Sequence, residues 1–347
     1  MRAQENQNPP ADLGQIHGNV QILWQTYQED SLIGAVVPAE KTGMNAFANL
    51  IYTKGKFSAG LRYESYLPAV LGFPGRFKGS GIGYRFANYT HEKIEVTIGN
   101  FYEQFGSGLI LRAYEERNLG LDNALDGFRV KFRPFDGVVL TGLYGKQRLD
   151  FDDGLINGPG TVRAADLDVS LNDLFSEQLA EAKTKVTLGG SFVTRFQPGG
   201  TIEKDTLILR VPDNVGAYAA RINILRGKWN FYGEYVRKIN DPNADNDFTY
   251  RNGEGILTQL SYSQKGFGVN LQAKTVDNMS FRSDRDLLLF DLPINFIPAI
   301  TNQHTYNLAA TLYPYATVIN GESSFSAEVF YKFKKNTPLG GKYGTNI

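Results

Sequence analysis

The charged residues best placed for chemistry stand together in one glycine-rich stretch of the chain, residues 103–127. They are Arg112, Glu115, Glu116, Arg117, Asp122 and Asp126. Charges of both signs at this density either form ion pairs on a surface loop or line a narrow passage into which the loop folds. The apolar run 109–111 needs a place away from water, which supports the inward fold. Both interpretations stay open at this point.

A second loop carries oxygen-bearing side chains at alternate positions. These are Asp241, Asn243, Asp245 and Asp247. The spacing suits oxygen ligation of calcium, but the EF-hand pattern stops there, since position six lacks glycine and position twelve lacks glutamate. The loop is therefore a candidate calcium site, with a solvated acidic loop as the alternative interpretation.

Catalysis has little support in the sequence. The chain contains no cysteine, so thiol nucleophiles and thiolate metal sites are excluded. Its three histidines, His17, His91 and His304, lie far apart, and no nucleophile and base stand at a recognisable spacing. We predict that the protein is not an enzyme and needs no cofactor.

Composition excludes two further classes of protein. Thirty-six Lys and Arg balance 36 Asp and Glu, which leaves no basic excess to hold a nucleic acid. No apolar run approaches the roughly 18–20 residues of a membrane-spanning helix. The 37 glycines, 23 phenylalanines and 19 tyrosines among 347 residues instead indicate many strands joined by tight turns.

Alternation of apolar and polar residues is the dominant pattern along the chain. Ile94, Val96 and Ile98, for example, alternate with polar residues. The pattern predicts strands at residues 15–28, 44–54, 56–66, 80–88, 93–102, 127–133, 137–149, 162–172, 183–196, 215–226, 228–238, 254–263, 267–277, 303–313 and 323–334.

The links between these strands alternate between short and long. The long links are residues 29–43, 67–79, 103–126, 150–161, 197–214, 239–253 and 278–302. Short turns at one end and long loops at the other are typical of bacterial outer-membrane barrels. The sequence therefore predicts an all-β fold, an antiparallel up-and-down transmembrane β-barrel of about 14–16 strands. Residues 14–347 would form the barrel, after a flexible segment 1–13.

Charged residues also recur on the polar faces of the predicted strands. They are Arg62, Glu64, Glu95, Lys183, Lys185, Arg195, Arg221, Glu234, Lys274, Glu328 and Lys332. A charge that faces lipid at mid-depth costs about 2–4 kcal/mol, so we assign these residues to the lumen. Their mixed signs indicate an ion-paired interior rather than a strongly selective pore. We predict that segment 103–126 narrows this lumen.

One segment resembles a known group of proteins. The stretches GNFYEQFGSG (99–108), LRAYEER (111–117), LGLDNALDG (119–127) and GKQR (145–148) follow one another. In this order they resemble a family of outer-membrane β-barrel proteins of unknown function from Bacteroidota. With the segments 14–20 and 338–344, the resemblance spans most of the chain. It implies the fold and the location and supplies no activity.

These observations leave two function hypotheses. The first is porin-like passage of small hydrophilic solutes through the outer membrane. The alternative is a non-conducting barrel subunit of an outer-membrane secretion, uptake or assembly complex. Both imply outer-membrane lipid as a partner, other outer-membrane proteins in the second case, and a signal peptide trimmed from this chain. Residues 341–347 read as the beginning of a further strand, which predicts a C-terminally truncated barrel.

Overall fold

The computed structural model describes residues 13–117, 120–204, 206–288, 291–300 and 317–346. Within these ranges the fold is nearly all β, and fourteen long strands run antiparallel in chain order. The strands are β1 (Gln15–Thr26), β2 (Thr42–Lys54), β3 (Phe57–Tyr66), β4 (Gly79–His91), β5 (Ile94–Phe101), β6 (Leu125–Phe132), β7 (Val138–Phe151), β8 (Leu155–Ser170), β9 (Thr184–Phe196), β10 (Asn214–Arg226), β11 (Trp229–Lys238), β12 (Gly253–Gln264), β13 (Phe267–Asp277) and β14 (Glu322–Phe333). A two-residue strand, Thr345–Asn346, pairs with the end of β14.

The chain divides into two compact units. The first comprises Met1–Asn100 and Asp150–Ile156, and the second comprises Phe101–Leu149 and Asn157–Ile347. In the first unit, β1 to β5 form a meander in which each strand pairs with the next. In the second unit, β6 pairs with β7, and β8 to β14 pair in succession.

Three of the two-residue turns are built on glycine. Gly55, Gly227 and Gly266 lie in two-residue turns with φ of 55°, 60° and 80°. Tight hairpins require this left-handed backbone conformation, which glycine adopts without steric cost. The turns fix the register of the strands they join, and that register decides which side chains share a face.

The two faces of the sheet in the second unit differ in chemistry. On β9, Leu188 and Phe192 are exposed, whereas Ser191, Val193 and Arg195 are buried. The exposed face continues across neighbouring strands with the large apolar side chains of Tyr218, Phe231, Tyr235 and Ile256. We call the face with the buried side chains the inner face. Apolar groups outside and charges inside are the reverse of the usual arrangement in a soluble protein.

The first unit has a small aromatic core of its own. The ring of Tyr66 lies 5.2 Å from the rings of Phe77 and of Phe151, and 6.0 Å from that of Phe47, between ring centroids. All four side chains are buried, and the three contacts are edge-to-face, the favoured arrangement of aromatic pairs. The core fastens Phe77, which lies in the link before β4, to the strands.

The predicted fold class is confirmed, since the sheet is antiparallel and follows the chain in up-and-down order. Each predicted strand within the described residues is present, with ends shifted by a few residues, except that β8 begins well before its predicted start. The predicted strand 303–313 lies outside the described residues, as does the predicted flexible segment 1–13 apart from Leu13.

The predicted long link 150–161 is wrong. Strand β7 ends at Phe151 and β8 begins at Leu155, so that only residues 152–154 connect them. The run Asn-Gly-Pro-Gly at 157–160 has the composition of a turn. In the structure its glycines serve close packing, because a Cβ at Gly158 would overlap the side chain of Leu292 and one at Gly160 the carbonyl group of Ser283.

Several short elements in the links were not predicted. Two single-turn helices, Leu171–Leu174 and Ser176–Leu179, lie between β8 and β9. A hairpin of Gly200–Lys204 and Leu207–Val211 lies between β9 and β10. Among the described residues, no helix has the length and apolar character needed to cross a membrane.

Candidate functional site

The loop between β5 and β6 packs against the inner face of the second unit. We call residues 103–117 and 120–124 the first inner segment. Its side chains Phe105, Leu109, Ile110 and Leu111 are at most 2% exposed. They share one apolar cluster with inner-face residues of seven strands, namely Leu143, Val162, Val193, Val215, Ala217, Val236, Leu257 and Val276. Burial of each large side chain contributes roughly 1.5–3 kcal/mol, enough to hold the loop inside.

The loop after β13 lies against the first one. We call residues 278–288 and 291–300 the second inner segment, and its side chains Met279, Phe281 and Ile294 are buried in the same cluster. The backbone N–H of Arg112 donates to the carbonyl of Ile294 (2.8 Å), and that of Phe296 donates to the carbonyl of Gly108 (2.9 Å). The two inner segments therefore form one hydrogen-bonded layer across the inner face.

Arg112 is held between two aromatic rings in this layer. Its guanidinium carbon lies 4.3 Å from the ring centre of Tyr114 and 4.1 Å from that of Phe296. Burial raises the pKa of Tyr114, a shift that Arg112 opposes and Glu116 reinforces. The charge of Arg112 is thus directed at ring faces, which attract cations.

Asp122 and Asp126 both accept bonds from neighbouring strands. The Arg148 guanidinium lies 3.0 Å from one oxygen of Asp122, and the Tyr102 hydroxyl donates to the other at 3.0 Å. The side-chain amide of Asn157 donates to Asp126 at 2.9 Å. Asp122 thus fastens the end of the first inner segment to the sheet, whereas Asp126 links β6 to β8.

The remaining charges of the predicted constriction are less buried. Glu115 pairs with Arg117 at 2.9 Å, and Glu116 between them is half-buried. Lys183 and Lys185 are exposed at the beginning of β9 and form no ion pair with a described residue. The acidic and basic residues of the first inner segment therefore have partners within the described residues, whereas Lys183 and Lys185 form no ion pair with them.

Three of the predicted lumen residues lie in the first unit. Arg62 pairs with Glu64 at 2.6 Å, and the Tyr66 hydroxyl donates to the same carboxylate at 2.8 Å. Arg62 and Glu64 are buried, whereas Glu95 is half-buried on β5. The charges of Arg62 and Glu64 therefore neutralise each other within the first unit.

A fully buried ion cluster ties the second inner segment to the strands. The carboxylate of Asp241 forms ion pairs with Arg195 at 2.8 Å and with Lys238 at 3.2 Å. All three side chains are 0% exposed. The same cations also donate to the second inner segment, Arg195 to the carbonyl of Arg282 and Lys238 to that of Ser280. The cluster thus joins β9, β11 and the inner layer.

The other calcium candidates also have protein partners. Asp245 pairs with Arg282 at 2.5 Å, and Asp247 pairs with Lys204. The side-chain oxygen of Asn243 accepts the backbone N–H at the end of the helical turn that follows it. In the part of the chain that the structure describes, no group of three acidic or histidine side chains has metal-binding geometry. The calcium site stays a prediction.

A polar cavity of about 460 Å³ lies next to the first inner segment, and we call it the chamber. Its lining includes Ser107, Asp168, Arg221, Asn223, Tyr232 and Gln259. Asn223 lies near the end of β10 and Tyr232 near the start of β11, so the chamber is on the side of the short turns. Within the second unit, the inner segments therefore fill the space near the long loops, and the chamber lies between the first inner segment and the short turns.

Arg221 organises one wall of the chamber. It donates to both oxygens of Asp166 at 2.9 Å, to Asp168 at 2.6 and 3.2 Å, and to Ser191 at 2.6 Å. These bonds occupy all five N–H donors of the guanidinium. The guanidinium reaches across β9 over Gly189, where a Cβ would overlap it.

Glu234 joins the chamber to the first inner segment. One of its oxygens accepts the backbone N–H of Ser107 at 2.9 Å and the hydroxyl of Tyr232 at 2.7 Å. Its other oxygen is buried and has no hydrogen-bond partner among the described residues. The first inner segment is therefore fixed at its tip by a carboxylate from the wall.

Sequence reasoning placed Arg195, Arg221 and Glu234 on the inner face and missed their partners. Asp166 and Asp168 alternate on a predicted strand, a signal that was available. The pairing of Asp241 with Arg195, 46 positions earlier, had no local signal, because it depends on how the loop after β11 folds.

An antiparallel up-and-down sheet with an apolar exposed face and a charged inner face defines the class of transmembrane β-barrel proteins. Among solved structures, the chain is similar to Pseudomonas aeruginosa OpdK with vanillate (12% identity, 77% of this chain and 83% of that chain, TM-score 0.35). It is also similar to a BenF-like porin from Pseudomonas fluorescens Pf-5 (12% identity, 93% and 88%, TM-score 0.35). A third similar structure is Pseudomonas aeruginosa OccK11 (OpdR), at 9% identity, 76% and 63% coverage and a TM-score of 0.40.

The model of a family of unknown function (DUF6029) matches residues 2–347. The chain belongs to this family. No curated protein matches the chain.

Proposed function

We propose that the protein resides in the bacterial outer membrane, with lipid around its apolar face, and passes small hydrophilic solutes. The sharp contrast between the two faces supports this proposal. Phe192 and Tyr218 are exposed outside, whereas Arg195 and Glu234 are buried inside. Exposed apolar surface of this extent needs an apolar solvent. The motif of residues 99–127 supports a Bacteroidota origin, and export implies a signal peptide that is trimmed.

The single observation that carries the proposal is the polar chamber of about 460 Å³ on the inner face. A hydrated solute requires a path lined by hydrogen-bonding groups, and the chamber offers amides, hydroxyls and a carboxylate. The inner segments then form the narrowest part of the path. We propose the charged residues of the first inner segment, Arg112, Glu115, Glu116, Arg117 and Asp122, together with Asp126 at the start of β6, as the residues that control passage there.

A second candidate function is favoured by the packing of the inner layer. Leu109 and Ile110 are 0% exposed and Leu111 is 1% exposed, a density typical of a core rather than of a water path. This observation favours a non-conducting subunit of an outer-membrane secretion, uptake or assembly complex. Its further partners would be other outer-membrane proteins.

Conductance across planar lipid bilayers distinguishes the two functions. We expect the full-length protein to give small conductance steps, and a variant that lacks residues 109–121 to give larger ones because the inner layer is opened. The control variant lacks residues 206–208, which are exposed in the hairpin between β9 and β10, and should conduct like the parent protein. Absence of conductance in all three proteins, each shown to be folded and inserted, would exclude passage and support the non-conducting subunit.

A further inference from the structure

The ion cluster in the wall of the chamber contains one more carboxylate than it has cations. Two carboxylates, Asp166 and Asp168, face the single guanidinium of Arg221. All five N–H donors of Arg221 are already bound to protein oxygens, so that none is left to receive an anionic group. The wall therefore disfavours anionic solutes and favours cationic ones.

Two acceptors at the chamber have no donor among the described residues. Asp168 uses one carboxylate oxygen for Arg221, and its other oxygen accepts no hydrogen bond from a described residue, while its side chain is 46% exposed. The side-chain oxygen of Asn223 is buried and has no partner in the described part of the chain. A buried acceptor that has no donor destabilises the protein. A ligand N–H or O–H that donates to this acceptor would remove that cost. The open groups thus select a ligand rich in donors.

We propose that the chamber binds a small organic cation that carries an ammonium group beside several hydroxyl groups. The ammonium group lies at Asp168, and the hydroxyl groups donate to Asn223 and Gln259. A cavity of about 460 Å³ has the volume of a site for one small molecule. The assignment rests on the proposed function, since it names the class of solute that the path would select.

Isothermal titration calorimetry of the purified full-length protein in detergent tests the assignment. Three sugars of nearly equal size serve as probes: glucosamine, glucose and gluconate. Near pH 6 the amine of glucosamine is protonated, since amines of this kind have a pKa of about 7.7–8.0. We expect glucosamine to bind at least tenfold more tightly than glucose, and gluconate more weakly than either.

Asp168→Asn keeps the shape of the wall and removes the charge. We expect it to reduce the ratio of glucosamine affinity to glucose affinity to about one. Asp247→Asn removes an exposed carboxylate outside the chamber and should leave the ratio unchanged. If Asp168→Asn does not fold, Asn223→Ala replaces it and should weaken both sugars several-fold. No binding of glucosamine, gluconate binding as tight as glucosamine, or an unchanged ratio in Asp168→Asn overturns the assignment.

The calorimetric result is independent of conductance. A protein that conducts in planar bilayers but shows no preference for glucosamine keeps the proposed function and overturns the chamber assignment. A protein that prefers glucosamine and does not conduct keeps the chamber assignment and overturns passage. The two proposals therefore fail separately.

Discussion

Replacement of Asp241 by asparagine tests how the inner layer is held in place. The substitution keeps the size of the side chain and removes the only carboxylate that Arg195 and Lys238 share within the cluster, where all three side chains are 0% exposed. Removal of one partner from a buried ion pair leaves an uncompensated charge and costs about 3–5 kcal/mol. We expect Asp241→Asn to lower the free energy of unfolding by that amount.

The matched control is Asp247→Asn in the same loop. Its partner is Lys204, and the two side chains are 81% and 33% exposed. Exposed pairs contribute only about 0–1 kcal/mol, because water and salt screen them. Urea unfolding of the protein in detergent micelles, followed by the fluorescence of Trp24 and Trp229, measures both variants.

A rescue variant separates loss of charge balance from general damage. Lys238→Met in the Asp241→Asn background removes one of the two cations that have lost their carboxylate partner. It should therefore restore part of the free energy of unfolding that Asp241→Asn removes. Equal stability of Asp241→Asn and Asp247→Asn would refute the view that the buried cluster anchors the inner layer.

Three further changes test other parts of the structure. Gly160→Ala would push the second inner segment away from β8 and should cost about 1–3 kcal/mol in the same unfolding assay, whereas Gly142→Ala, which meets open space, should change stability by less than about 0.5 kcal/mol. Phe192→Arg on the exposed apolar face should cost about 2–4 kcal/mol in lipid vesicles, and full stability of that variant would contradict a lipid-facing surface. Calcium should leave the urea midpoint unchanged, because Asp241 already binds two cationic side chains; a rise that Asp247→Asn abolishes would instead establish a calcium site.

The strands were predictable because each one carries its own signal. A residue on a strand faces lipid or interior according to its position alone, so alternation in a short window is sufficient. The same rule placed Arg221 and Glu234 on the inner face. Asp166 and Asp168, which alternate with Ala165, Leu167 and Val169, carry the same signal on β8.

The inner layer was not predictable in detail, because its contacts join distant parts of the chain. The apolar run 109–111 indicates that these side chains are buried, but it does not indicate which surface buries them. The glycines at 158 and 160 have the composition of a turn, and only the approach of the second inner segment explains them. Local sequence cannot distinguish a glycine that allows the chain to turn from one that allows another segment to pack closely against it.

The hydrogen bonds between the two inner segments also constrain the order of events during folding. The side-chain amide of Asn295 donates to the carbonyl of Leu109, 186 positions earlier. Contacts between residues this distant in sequence form slowly. The chain between them loses conformational entropy when the loop closes, and this cost comes before the contact contributes any stabilisation. The interior layer therefore cannot be completed until β6 to β13 are synthesised and brought together. Until then residues 109–111 lack the apolar side chains that bury them in the folded protein.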